Sequence, residues 1–128
     1  MQNERHILFA DDDADTREMV QLLLRHAGFN VSVAASPPDV LDLIAKHKFD
    51  AILLDNWMPQ ITGIEICERI RIHDQVTPIV FCSGAVTQQE IEAAHLAGAQ
   101  GYVGKPFDPD ELIDALRTAI AVNSKGVI

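Results

Sequence analysis

Five short runs punctuate the chain: Ile7–Ala10, Val31–Ala34, Ala51–Leu54, Pro78–Cys82 and Gly101–Val103. Each is strand length, and most are almost continuously apolar. A strand that shows no polar side is one covered on both faces, which is the habit of parallel sheets. Between the runs lie segments with helical spacing. Ala14–Ala27 carries Val20, Leu23, Leu24 and Ala27 on one stripe, with Asp15 and Glu18 placed for a capping box and Gly28 as a stop. Ser36-Pro37-Pro38-Asp39 opens a second helix that runs to about His47 through Val40, Leu41, Ile44 and Ala45. Ile64–Ile72, Gln88–Ala97 (stopped by Gly98) and Pro109–Ala121 complete the series, and Val122–Ile128 reads as an aperiodic tail. Five strands alternating with five helices predict an α/β fold whose parallel sheet is wrapped through right-handed crossovers.

Composition limits what such a domain can do. The 128 residues suit one domain, 48% of them are hydrophobic, and no apolar run approaches the ~18 residues of a membrane span. The start, Met1–His6, is polar and lacks the apolar core of a signal peptide. A net charge of −9 repels a phosphate backbone, and the ten Lys and Arg are scattered, so direct nucleic-acid binding is not expected. Cys67 and Cys82 have no metal-ligand spacing and read as reduced core thiols of a cytoplasmic protein. The five His lack metal spacing and are assigned to the surface or its boundary.

In a doubly wound sheet, chemistry gathers at the carboxyl ends of the strands, near the point where strand order reverses. The residues there are Asp11, Asp12 and Asp13 after the first run, Asp55 after the third, Ser83 after the fourth and Lys105 after the fifth. Carboxylates ~4 Å apart repel by about 4 kcal/mol at an effective dielectric near 20. A fold tolerates that where a cation fills the space, and an all-oxygen ligand set suits Mg2+. Lys105 adds a cation and Ser83 a hydroxyl, so the set describes a site for a phosphoryl group, with a carboxylate as the available nucleophile. Asp13 is better suited to capping or solvent than to the metal.

Over about residues 6–121 the chain resembles the receiver domain of bacterial two-component response regulators, of the single-domain chemotaxis-regulator type. The motifs are Asp11-Asp12, the stretch Leu53-Leu54-Asp55-Asn56-Trp57-Met58-Pro59 with Gly63 following, Ser83-Gly84, and Tyr102 with Lys105-Pro106-Phe107. The resemblance implies a flavodoxin-like three-layer sandwich with strand order 2-1-3-4-5 in a single domain, residues 122–128 forming a tail or linker stub. It implies that Asp55 is the phosphoacceptor, that Asp12 and Asp55 bind Mg2+ directly, Asp11 through water and Trp57 through its backbone carbonyl. Ser83 and Lys105 would hold the phosphoryl group, and Ser83 with Tyr102 would form the switch, Tyr102 turning inward as Ser83 moves. The donor would be a histidine kinase or phosphotransfer protein. The output would be an unidentified protein bound on the surface of the fourth helix, fifth strand and fifth helix. The receiver would act as a cytoplasmic signalling switch and not an enzyme, catalysing only its own phosphotransfer and slow dephosphorylation.

Four departures from the family pattern stand out. Trp57 is bulkier than the usual residue two places after the acceptor, Ser83 replaces the more typical threonine and keeps its hydroxyl, Thr62 replaces an acid before Gly63, and Gly104 replaces an apolar residue before Lys105. Because the sequence stops after the fifth helix, the expectation is a receiver that works alone or one excised from a longer regulator or hybrid kinase. Rival readings are a metal-dependent phosphatase using Asp55 on a small substrate, a constitutive interaction module, and a flavin carrier.

Overall fold

A computed structural model describes residues 5–58, 60–84 and 86–126, with side chains described as far as residue 123. Residues 1–4, Pro59 of the acceptor-loop motif, and the last two residues of the expected tail lie outside the described residues. The elements follow the chain as β1 (His6–Ala10), α1 (Ala14–His26), β2 (Asn30–Ala34), α2 (Pro37–Lys46), β3 (Ala51–Asp55), α3 (Gly63–His73), β4 (Ile79–Ser83), α4 (Gln88–Ala97), β5 (Gly101–Gly104) and α5 (Pro109–Gly126). The five strands form one parallel sheet in the order β2-β1-β3-β4-β5. The fold is therefore the expected α/β sandwich.

Strand alternation sorts the apolar residues into two layers. Ile7, Phe9, Leu53, Val80 and Cys82 face α1 and α5, where they meet Val20, Leu24, Leu112 and Leu116. Leu8, Ala10, Ile52, Leu54, Ile79 and Phe81 face the other way, toward Val40, Ile66, Cys67, Ile70 and Ala94 of α2, α3 and α4. β3 and β4 are buried along their whole length. Burying a side chain of this size is worth roughly 1.5–3 kcal/mol, so both layers hold the central strands rigidly. Cys67 and Cys82 are buried and unbridged, as expected, and burial pushes the Cys67 thiol up to about 11.

Helix termini show where local signals are decisive and where they compete. Ser36 caps α2 with Pro37 in the first turn, and Gly28 and Gly98 take positive φ at the ends of α1 and α4, as their types predict. The expected Asp15–Glu18 capping box does not set the start of α1. Asp13 is the cap, accepting from the backbone N–H and hydroxyl of Thr16. The reason lies upstream: the Asp13 N–H donates to Asp11 Oδ1 at 2.9 Å, a local turn that fixes where the helix begins. A capping box does close at Thr62 and Glu65, which gives Thr62 its role as the start of α3. The tail expected from Val122 is instead a continuation of α5 as far as Gly126. No Pro or Gly interrupts the chain between Ile113 and Lys125, and each added residue contributes another helical hydrogen bond.

Arg71 ties α3 to the turn after α4. Its Nε and Nη2 donate to the Gly98 carbonyl at 3.1 and 2.8 Å, and its Nη1 donates to the Asp74 carbonyl. A Cβ at Gly98 would stand 2.8 Å from Arg71 Nε on a backbone already at φ +114°. Gly98→Ala is expected to destabilise the domain by about 2 kcal/mol, from left-handed strain plus displacement of the guanidinium, lowering Tm by roughly 5–10 °C. Thermal unfolding followed by circular dichroism checks this, and an unchanged Tm would remove the close-contact argument.

Candidate phosphoryl and metal site

The strand order reverses beside β1: the chain steps from β1 to β2 on one side and returns to β3 on the other. The crevice this leaves is bordered by the residues that follow β1, end β3 and β4, and follow β5. Asp11 is 1% and Asp55 5% exposed, Ser83 is fully buried, and Asp12 faces solvent. One oxygen from each of Asp11, Asp12 and Asp55 can be chosen so that all three lie within 4.8 Å of one another. The Lys105 ammonium sits between the two buried acids, 2.7 Å from Asp11 Oδ2 and 3.4 Å from Asp55 Oδ1. The four residues expected to converge from distant parts of the sequence do so.

Each group is held by backbone geometry that the neighbouring sequence supplies. The Asp11 peptide is fixed on both sides, its N–H donating to the Ala34 carbonyl and its own carbonyl accepting from Arg17 Nη1 at 2.8 Å. Asp55 Oδ1 also accepts from the Trp57 N–H at 3.3 Å. The loop after β3 folds tightly back, with the Gly63 N–H donating to the Asn56 carbonyl at 3.0 Å. A Cβ at Gly63 would lie 2.9 Å from Asn56 Cα and 3.0 Å from the Asp55 carbonyl oxygen, so only glycine permits this approach. The Lys105 N–H donates to the Ser83 carbonyl at 2.9 Å, locking the lysine to the end of β4. Gly104 leaves room for Val86, whose Cγ2 would be 3.0 Å from an added Cβ.

The electrostatics follow from crowding. Burial, then the charge of Asp11, push the Asp55 carboxyl above its usual range, and Lys105 only partly opposes them. Burial pulls the Lys105 ammonium down, but the hydrogen bond to Asp11 and the surrounding negative charge more than offset this and leave it raised. Three acids against one inserted ammonium make a pocket of net negative charge with oxygen donors only. That set fits a small hard cation such as Mg2+.

Tyr102 is half-buried, its ring stacked near-parallel on Phe81 at 6.1 Å. The family resemblance implies an inward turn on phosphorylation, but in the structure its hydroxyl already meets Ser83 and Asn56 and donates to Glu90 Oε2 at 3.3 Å. Glu90 carries no signal in the linear pattern that ties it to this site, and Asn56 stands there only as part of the acceptor motif. Asn56 Nδ2 donates to the same Glu90 oxygen at 3.2 Å, while the buried Asn56 Oδ1 has no hydrogen-bond partner among the described residues. An orphaned buried acceptor costs about 1–3 kcal/mol. The Trp57 side chain is 61% exposed.

The fold and the site together define a class: doubly wound α/β domains with an acid cluster and a lysine at the carboxyl edge of the sheet. The comparison with known proteins narrows the class. The family model for the response regulator receiver domain matches residues 7–117, and the chain belongs to that family. It is 35% identical over 114 residues to the response regulator MprA of a Mycobacterium species (strain KMS) and 34% identical over 114 residues to the response regulator ArlR of Staphylococcus aureus. These matches cover 89% of this chain but 50% and 52% of those proteins, so the chain spans about half the length of the curated relatives it matches. Among solved structures, the chemotaxis protein CheY4 of Vibrio cholerae superposes with a TM-score of 0.88 at 30% identity, covering 91% of this chain and 99% of that one.

The raised Asp55 carboxyl makes stability depend on pH. Its folded value lies above the ordinary 3.8, so the folded state holds that proton more tightly than the unfolded one. Its contribution is fully present below about pH 4 and is lost as pH rises through the folded value. In the absence of divalent metal, Asp55→Asn is therefore expected to be more stable than wild type at pH 7, with the gap closing toward pH 4. Urea midpoints measured in chelator across that range test it; a gap that does not vary with pH would contradict the burial argument.

Proposed function

We propose that this chain is a phosphorylation-dependent signalling switch in which Asp55 accepts a phosphoryl group from the phosphohistidine of a histidine kinase or phosphotransfer protein. The observation that carries this reading is the convergence of Asp11, Asp12 and Asp55 within 4.8 Å of one another, with Lys105 between the two buried acids. Asp12, Asp55 and the Trp57 carbonyl would hold Mg2+, with Asp11 acting through water. The bound ion would supply charge neutralisation for the phosphoryl oxygens.

The chain's own residues do the rest. Lys105 and the Trp57 N–H both engage Asp55 Oδ1, which leaves Oδ2 as the attacking oxygen. As the O–P bond forms, the P–N bond of the donor breaks, and the imidazole keeps the electron pair and takes up a proton. Lys105 then pairs with one phosphoryl oxygen and the Ser83 hydroxyl donates to another, drawing the ends of β4 and β5 toward the new charge. Ser83 and Tyr102 carry this change to the surface of α4, β5 and α5, where the protein partner binds. The unit is a single receiver domain with its core over about residues 6–121, acting in the cytoplasm. Among the described residues no helix is long and apolar enough to cross a membrane.

Incubation with Mg2+ and a small acyl phosphate is expected to add one phosphoryl group to wild type, read by intact mass, and none to Asp55→Asn. Modification of both proteins alike would reject Asp55 as the acceptor. The exposed Trp57 side chain beside the acceptor loop would hinder an attacking water, so Trp57→Asn is expected to shorten the phosphorylated lifetime several-fold. An unchanged decay of the phosphorylated mass would remove that role.

A further inference from the structure

The chain carries two Thr-x-x-Glu signatures at helix starts, Thr62–Glu65 on α3 and Thr87–Glu90 on α4. The sequence pattern makes the same prediction for both, a reciprocal capping box. On α3 the box closes, the Glu65 carboxylate accepting from the Thr62 N–H while the Thr62 hydroxyl accepts from the Glu65 N–H. On α4 the Thr87 hydroxyl accepts from the Glu90 N–H at 3.1 Å, but the Glu90 carboxylate turns inward. A single oxygen, Oε2, accepts from Asn56 Nδ2 at 3.2 Å and from the Tyr102 hydroxyl at 3.3 Å.

That diversion joins three elements. Asn56 directly follows Asp55 and stands on the loop that Gly63 folds against β3. Glu90 lies in the first turn of α4, and Tyr102 lies on β5 with its ring against Phe81 of β4. The orientation of the Asn56 amide follows from its partner: the Glu90 oxygen accepts from the Tyr102 hydroxyl and from Asn56 alike, so Nδ2 faces it and Oδ1 is left without a hydrogen-bond partner among the described residues. The bridge is thus kept although it strands an acceptor, and the loop beside Asp55 is held in an arrangement that satisfies only one end of Asn56.

We propose that Glu90 is a positioning residue that couples the loop carrying Asp55 to α4 and β5, by holding Asn56 and Tyr102 on one carboxylate oxygen. This rests on the reading of Asp55 as the phosphoacceptor. A phosphoryl group there adds up to about two negative charges one residue from Asn56. It draws Ser83 away from Tyr102 and repels the Glu90 carboxylate, so the hydroxyl of Tyr102 and the first turn of α4 are re-sorted together. Without Glu90, the acceptor loop and Tyr102 would be joined only by the direct contact of the Tyr102 hydroxyl with Asn56, and neither would be tied to α4 through this bridge.

Tyr102 is the only tyrosine in the chain, so fluorotyrosine labelling gives one 19F resonance that reports on this junction alone. The resonance is recorded in wild type, Asn56→Ala, Glu90→Ala, Glu90→Gln and the Asn56→Ala/Glu90→Ala double variant, before and after treatment with Mg2+ and an acyl phosphate. Intact mass counts the phosphoryl groups in every sample. Before treatment, Asn56→Ala is expected to move the resonance several-fold further when Glu90 is present than when it is added to Glu90→Ala, where only the direct contact between Asn56 and the Tyr102 hydroxyl is lost. Glu90→Gln, which retains an acceptor oxygen and the packing volume, is expected to stay near wild type and serves as the informative variant if Glu90→Ala does not fold.

After treatment, samples shown by mass to be phosphorylated should shift in wild type and lose that shift in Glu90→Ala. Equal effects of Asn56→Ala with and without Glu90, a Glu90→Gln resonance that coincides with that of Glu90→Ala, or an undiminished phosphorylation shift in Glu90→Ala would each overturn the proposal. A wild type that takes up no phosphoryl group would instead sink the functional reading, and the measurements before treatment would still decide the bridge.

Discussion

The contact between Lys105 and Asp11 holds the site together. It joins the residue after the first strand to the residue after the last, at 2.7 Å and with the carboxylate almost wholly buried. Two buried acids so close would otherwise push the ends of β1 and β3 apart, and an ammonium alone in that crevice would be stranded without a partner. Each group makes the burial of the other tolerable. The pair works only because the strands beneath it are fixed: β3 and β4 are covered on both faces, and their apolar side chains sort into one layer or the other. A charged cluster of this kind could not be kept on flexible loops, since the repulsion would be relieved by movement.

The fit between chain and site also depends on what is missing from particular side chains. Gly63 allows the loop after β3 to lie on the backbone of Asp55 and Asn56, and Gly104 gives Val86 a place beside β5. These positions are as specific as the acids, though they carry no chemistry. They set where the acids and the lysine stand.

Much of this is readable from the residues in order. Apolar runs too short for helices and ending in Asp11, Asp55 or Ser83 announce both the buried sheet and its reactive edge, because burial on two faces leaves no polar position until the strand ends. Lys105 is legible for the same reason. What cannot be read are outcomes of competition between local signals and distant partners. Asp13 and Asp15 both suit a cap, and only the turn made by Asp11 Oδ1 selects Asp13. The two Thr-x-x-Glu patterns are equivalent locally, yet one Glu closes its box and the other is claimed by Asn56 and Tyr102, 34 and 12 residues away. The continuation of α5 past Ala121 is hidden because a helix with no stop signal ends by default at no particular residue. Tyr102 is recognisable as an aromatic at a sensitive place, but its hydroxyl is bonded to Glu90, which nothing in the linear pattern connects to it.

The grip of Arg71 on the turn after α4 bears on how that helix can move. The guanidinium holds the Gly98 carbonyl through two nitrogens, and its Nη2 also donates to Gln100 Oε1, which in turn accepts from the Ile79 N–H at the start of β4. One end of α4 is thereby riveted to the rigid frame of α3 and the sheet, while the first turn at the opposite end is held to Asn56 and Tyr102 by the Glu90 carboxylate. A rod fastened in this way swings and does not slide. Any swing of the Glu90 end would describe the widest arc beside the reactive edge, while the exposed Leu96 near the fastened end would stay almost where it is.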